Sequence, residues 1–266
     1  MSYVKPTEVL ETMTVNGANK ASASKLQMLI RGGLGGAILA CATTLAYTAS
    51  VQTGISLVGA LVFPVGFVII VLLGLELVTG NFALIPLSVI EKRASTSSML
   101  QNWFYVTIGH IIGCIVYALL YWVSVTNMGA TESNPMMSHI IAVAEAKTLS
   151  YKALGLEGIV LVVTKAILCN WMVTLGVVMG LTSKSTTGKI VAMWLPIFIF
   201  FAQGFEHAVV NMFVIPMGML FGANVTLADW WVWNQFPVLA GNLVGGFLFT
   251  GLFFYLSHKQ GKRGEV

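Results

Sequence analysis

The residues with the clearest capacity for chemistry are Glu206 and His207, in the tetrad Gly204-Phe205-Glu206-His207 between two apolar runs, residues 190–201 and 208–221. Ionisable side chains halfway along a membrane-length apolar segment are costly to bury and mark an ion or proton pathway. Histidine changes charge near neutral pH, so His207 is suited to sharing a proton with a passing weak acid. Asn211, one helical turn on, adds amide donors. A second glutamate stands in the same kind of setting, in Gly74-Leu75-Glu76, followed by Thr79, Gly80 and Asn81. Taken singly, each residue has a plainer reading. A lone buried histidine is most often a packing residue, and either glutamate could accept backbone N–H groups freed by a break in a helix. That the features come as a pair favours the functional reading.

The stretches that carry them are too long for one span each, since about 20 apolar residues cross the hydrocarbon. Residues 55–90 and 189–223 therefore predict two helices broken near Gly74 and Gly204. Simple spans fall at residues 29–50, 103–125, 158–181 and 236–257, the first rich in glycines that allow close helix contact. Gly74 and Gly204, Glu76 and Glu206, and Pro86 and Pro216 are each 130 residues apart. Gly109-His110-Ile111-Ile112-Gly113 likewise corresponds to Gly241-Asn242-Leu243-Val244-Gly245. Three spans per repeat is an odd number, so the halves must lie inverted, with their breaks meeting near the bilayer centre. The expected fold is an all-α membrane protein of six transmembrane helices in two inverted three-helix repeats, with the second and fifth helices broken. His110, asparagine in the matching position, reads as a polar packing residue, and His139 and His258 fall in exposed ends without a role.

Composition supports a bilayer setting: 57% of the residues are hydrophobic and 9% charged, against about 25% charged in soluble domains. The net charge of +4 then says nothing about nucleic acid, and lipid is the expected surroundings. Lys5, Lys20, Lys25, Arg31, Lys92, Arg93, Lys184, Lys189, Lys259, Lys262 and Arg263 fall on one side of the six-span arrangement, and Lys147 and Lys152 on the other. Basic residues concentrate on the cytoplasmic side, which places both termini there, in a multi-pass protein of the cell membrane. The chain divides into an amphipathic cytoplasmic helix within residues 1–28, a channel domain at 29–257 and a cytoplasmic tail at 258–266. Cys41, Cys114 and Cys169 lie in apolar segments and read as packing residues, so neither metal nor cofactor is expected. No cleavable signal is evident in the polar first thirty residues.

Several of these segments resemble the formate/nitrite transporter family, pentameric membrane proteins with an aquaporin-like six-helix protomer. The resemblance is carried by Gly204-Phe205-Glu206-His207-Ala208-Val209-Val210-Asn211-Met212, Cys169-Asn170-Trp171-Met172-Val173, Gly74-Leu75-Glu76-Leu77-Val78-Thr79-Gly80-Asn81 and Gly241-Asn242. It implies that His207 is the central pore histidine, with Asn170, Glu206 and Asn211 close by and Thr79 facing it. It also implies an outer constriction at Phe63 and Phe200 and an inner one at Leu77 and Val173. Val78 stands where some members carry a bulkier aromatic, which leaves the inner constriction looser or differently shaped. Lys147, in Ala-Glu-Ala-Lys-Thr, fits the family's vestibule lysine, with Lys152 as the competitor.

The function expected from these features is transport of formate, a small weak-acid monovalent anion, through a pore in each protomer of a homopentamer, with pH-gated or proton-linked passage. Asn170, Asn211 and Thr79 would donate hydrogen bonds to the carboxylate, and His207 would share a proton so that the acid crosses the apolar ring neutral. Nitrite and hydrosulfide, also monoanions of weak acids, suit the same pore. A neutral-solute pore would leave His207 idle, and the paired Asn-Pro-Ala signatures of aquaporins are absent from the sequence. A redox enzyme with His110 and His207 as haem ligands finds no support in their spacing, and no enzyme activity is expected.

Overall fold

Where no water reaches the backbone, helices satisfy their own polar groups, and the computed structural model, which describes residues 3–259, is built of them. In order they are α1 (Pro6–Ala21), α2 (Lys25–Thr53), α3 (Ser56–Val62), α4 (Pro64–Leu72), α5 (Val78–Ile90), α6 (Thr96–Val125), α7 (Pro135–Ala146), α8 (Leu149–Ala153), α9 (Leu156–Leu181), α10 (Thr186–Ala202) and α11 (Ala208–Leu220). The last, α12 (Leu227–His258), contains two π-helical stretches, Trp231–Gln235 and Gly245–Leu252.

Four of these, α2, α6, α9 and α12, are long and apolar enough to cross a membrane. In three of them, α2, α6 and α12, the first turn extends beyond the apolar run, because the chain enters the helix through a side-chain cap. Ser24 and Ser95 form capping boxes at α2 and α6, and Thr226 does so at α12. The apolar run marks the hydrocarbon and the cap marks the helix end, so the two boundaries differ.

The two interrupted stretches each fold as helices on either side of a short turn. Gly74 and Gly204 both sit at φ 63°, and the following amides return to the preceding helix, Leu75 N to Ile70 O at 3.0 Å and Phe205 N to Phe200 O at 3.2 Å. This left-handed closure strains any residue with a Cβ and so selects glycine. Pro86 and Pro216 lie inside α5 and α11, not at their edges.

Packing holds the breaks in place. α2 and α6 approach so closely that a Cβ on Gly113 would overlap the Gly33 backbone, and one on Gly109 would overlap the Leu29 carbonyl. The apolar side of α1, with Val9, Leu10 and Met13, is buried against Leu84, Leu87, Val178 and Tyr255. The apolar side of this amphipathic helix therefore covers protein. Cys114 and Cys169 are buried and Cys41 is exposed, all three unpaired. Of the expected tail, His258 stacks on Phe254 at 4.3 Å, and residues 260–266 lie outside the described residues.

Replacing Gly113 by Val should destabilise the protein by about 1–3 kcal/mol, read as a lower melting temperature in detergent. Gly33→Ala, whose Cβ would meet only the Gly109 carbonyl oxygen at 3.5 Å, should melt like the wild type. Equal melting of Gly113→Val and wild type would contradict this packing.

Candidate functional site

The breaks leave two helix N-termini, α5 and α11, deep inside the protein. Their first amides need acceptors, because buried unpaired N–H groups cost on the order of a hydrogen bond or more. Val78 N donates to His110 Nε2 at 3.1 Å, and Ala208 N donates to Asn242 Oδ1 at 2.9 Å. His110 in turn donates from Nδ1 to Gly32 O at 2.7 Å, while Asn242 donates to Ala166 O at 2.8 Å and Glu206 O at 2.9 Å. His110 is thus the cap of a broken helix, a more specific duty than the packing role its sequence context suggested. The signal for it was present: His110 and Asn242 occupy matching places in the two repeated segments.

The glutamates are corrected as well. Neither accepts a freed backbone amide; each is enclosed by side chains. Glu206 receives Lys147 Nζ at 2.8 Å and Asn211 Nδ2 at 2.8 Å on one oxygen, and Tyr151 Oη at 2.8 Å on the other. Glu76 receives Lys20 Nζ at 2.9 Å and Asn81 Nδ2 at 2.7 Å. Behind each pair stands a second asparagine: Asn81 donates to Asn102 Oδ1 and Asn211 to Asn234 Oδ1, both at 2.8 Å. These partners close the circuit onto the carbonyls of the same lysines, Asn102 to Lys20 O at 3.0 Å and Asn234 to Lys147 O at 2.9 Å. One four-residue circuit is built twice, once beside each break.

Thr79, at the start of α5, and His207, the N-cap of α11, come together with Thr79 Oγ1 3.1 Å from His207 Nε2. The Nδ1 atom of His207 accepts from Val210 N at 3.3 Å. With Nδ1 an acceptor, the proton belongs on Nε2, which donates to Thr79. The hydroxyl hydrogen of Thr79 remains available. Asn170 lies next to this pair, but both its N–H groups are taken, by Thr79 O at 3.0 Å and Asn242 O at 2.5 Å. The expectation that Asn170 and Asn211 donate to a substrate is corrected in this state, since their amides already hold α5, α12 and Glu206. Their Oδ1 atoms accept nothing from the protein.

Phe63 and Phe200 meet edge to face at 5.7 Å, and Phe200 lies 5.7 Å from the His207 ring. Phe201, which the sequence did not single out, stacks on Phe63 at 3.9 Å and completes an aromatic cluster. Leu77, Val78 and Val173 are buried.

A cavity of about 490 Å³ opens above the first group, walled by Lys147, Glu206, Phe200 and His207. Another of about 370 Å³ is walled by Lys20, Glu76, Leu77 and Asn81. Thr79 and Asn170, between the two groups, have no exposed surface. Of the two lysines weighed for the vestibule, Lys147 lines the larger cavity, whereas Lys152 pairs with Asp229 at 2.8 Å and is half-exposed. His139 is not in an exposed end. It sits partly buried at the wall of the larger cavity, edge-on to Tyr47 at 4.8 Å, and its burial lowers the imidazole's affinity for a proton.

Two interrupted helices whose N-termini meet at a buried histidine, with a cavity at each break, define a membrane transport protein of the channel type. Known proteins of this design are similar to the whole chain. A family profile described as formate/nitrite transporter matches residues 7–256. A probable formate transporter of Methanothermobacter thermautotrophicus is 32% identical, over 97% of this chain and 98% of its own length. Among solved structures, an ion channel of the FNT family superposes with TM-score 0.83 at 24% identity, covering 94% of this chain and 99% of the other. A pentameric formate channel with formate bound superposes with TM-score 0.71 at 23% identity, covering 88% and 97%. The chain belongs to the formate/nitrite transporter family.

With Lys147 15% and Glu206 3% exposed at the side chain, their ion pair is largely desolvated. Lys147→Met should cost about 3–5 kcal/mol, because it strands a buried charge. Adding Glu206→Leu should restore much of the loss. A double-mutant cycle by denaturation in detergent checks this, and simple additivity of the two substitutions would contradict it.

Proposed function

We propose that the chain carries formate across the cell membrane, through a pore in each protomer that runs from the Glu206 cavity to the Glu76 cavity. The reading takes the four long helices and two broken pairs as six spans in two inverted repeats, with both termini cytoplasmic. It divides the chain into a cytoplasmic helix within residues 1–28, a channel domain at 29–257 and a tail at 258–266. The Glu206 cavity is then the outer vestibule. The 32% identical relative described as a probable formate transporter supports the substrate, and the pentameric fold neighbour supports a homopentamer.

The observation that carries the mechanism is the Thr79–His207 contact at 3.1 Å between two opposed half-helices. Phe63, Phe200 and Phe201 form an apolar ring that a hydrated ion crosses only by losing water, at a cost of several kcal/mol or more. Beyond it the hydroxyl hydrogen of Thr79, whose oxygen is held by the Nε2–H of His207, is free to donate to a carboxylate oxygen. The N-termini of α5 and α11 add their partial positive charge at the same place. Once His207 has taken a second proton from solution, the imidazolium can pass one proton to formate and return to the neutral ring, so that formic acid leaves neutral past Leu77, Val78 and Val173 into the inner cavity. Asn170, Asn211, Glu206 and Lys147 hold this geometry, and Lys147 also stands at the outer mouth.

The pH dependence follows from the histidine's bonds. Neutral His207 accepts from Val210 N–H; protonation at Nδ1 breaks that bond and sets a second positive charge at a positive helix end. Acid therefore loosens the first turn of α11 and changes the gate. His207→Asn should lower formate uptake by about tenfold to a hundredfold, the size of one hydrogen bond to a charged group. It should also flatten the pH profile of uptake in proteoliposomes between about pH 5 and about pH 8. An unchanged rate with an unchanged pH profile would refute the role of His207.

A further inference from the structure

Lys165 has no counterpart in the duplicated circuits. It lies in α9, a turn and a half before Asn170, and its side chain reaches the wall of the outer cavity. Its backbone carbonyl accepts from Glu206 N at 3.4 Å, which pins this part of α9 to the break. The Nζ atom stands 3.4 Å from Tyr151 Oη and 5.6 Å from the centre of the Tyr151 ring. Tyr151 donates its own proton to Glu206 Oε1, so its oxygen faces Lys165 as an acceptor.

Two cations, Lys147 and Lys165, line this cavity, and only one carboxylate, Glu206. Lys147 is paired with it at 2.8 Å, and the remaining Glu206 oxygen is taken by Tyr151. Among the described residues Lys165 makes no ion pair, and of its three N–H donors one is engaged, by a neutral hydroxyl. An ammonium inside an apolar span without a carboxylate partner is expensive unless it serves a passing charge. With histidines neutral, the surplus positive charge of the cavity is that of Lys165 alone.

We propose that Lys165 is the recruiting contact of the outer vestibule, holding a small carboxylate anion against its free N–H donors before the anion meets Phe200. The inference rests on the formate reading, and it adds to it a residue whose charge sets how readily the anion is collected from outside. Lys147, neutralised by Glu206, then acts mainly in the architecture. A single unscreened charge in a low-dielectric funnel raises local anion concentration, an effect weakened by salt.

The test is initial-rate uptake of labelled formate by cells producing the wild type, Lys165→Met, Lys165→Gln or Lys165→Arg, at low and high ionic strength. The neutral variants should raise KM by about threefold to tenfold with Vmax little changed, and should lose most of the salt dependence of KM. Lys165→Arg should stay close to the wild type. Met and Gln variants with wild-type KM and wild-type salt dependence would overturn the proposal, as would an Arg variant no better than Met. Wild-type cells that take up no formate above control would overturn the formate reading first, and this inference with it.

Discussion

The structure turns on one constraint: two helices begin in the middle of the protein, where no water can satisfy their first amides. Each begins after a glycine at positive φ, and each needs acceptors brought from elsewhere in the chain. His110 reaches across from α6 for Val78, Asn242 from α12 for Ala208, and His207 folds back on Val210. These three acceptors fix where α5 and α11 start. They thereby fix where Thr79 and His207 meet, and through the Val210 amide they fix which nitrogen of His207 carries the proton. The backbone requirement and the proposed chemistry share one set of atoms.

A second consequence concerns charge. Glu76 and Glu206 are almost fully buried, at 1% and 2% exposure, and a buried carboxylate persists only when paired and hydrogen-bonded. Both are, through circuits of lysine and two asparagines closed onto a lysine carbonyl. The circuits tie the breaks to α1 and α6 in one half, and to α7 and α12 in the other. The short helices α1 and α7 thus belong to the vestibule walls as much as to the periphery. In the proposed pathway the carboxylates shape the mouths without facing the substrate as bare negative charges, and an anion meets donors and helix N-termini instead.

Much of this was legible in the sequence. Apolar length gave the spans, and a glycine and a glutamate at one offset gave the paired breaks. The tetrad with its downstream asparagine gave His207. What stayed hidden were partners set by tertiary approach. That Lys20 and Lys147 are equivalent cannot be read from spacing, because they sit at unlike distances before Glu76 and Glu206. That Asn170 spends both donors on carbonyls follows only from α9 passing between α5 and α12. Tyr151 enters through the short helix α8, and nothing in its neighbourhood flags a carboxylate 55 residues away. His139, which looked like part of an exposed end, proved to wall the larger cavity because α7 folds back over Tyr47.

The central claim is that this pore passes the small monoanion of a weak acid. It is tested most directly with purified protein in liposomes, given formate, nitrite, hydrosulfide or glycerol in parallel while internal pH and volume are followed. The account predicts rapid entry of formate, ahead of the other anions, and no entry of glycerol above protein-free vesicles. Rapid glycerol entry with formate excluded would contradict it.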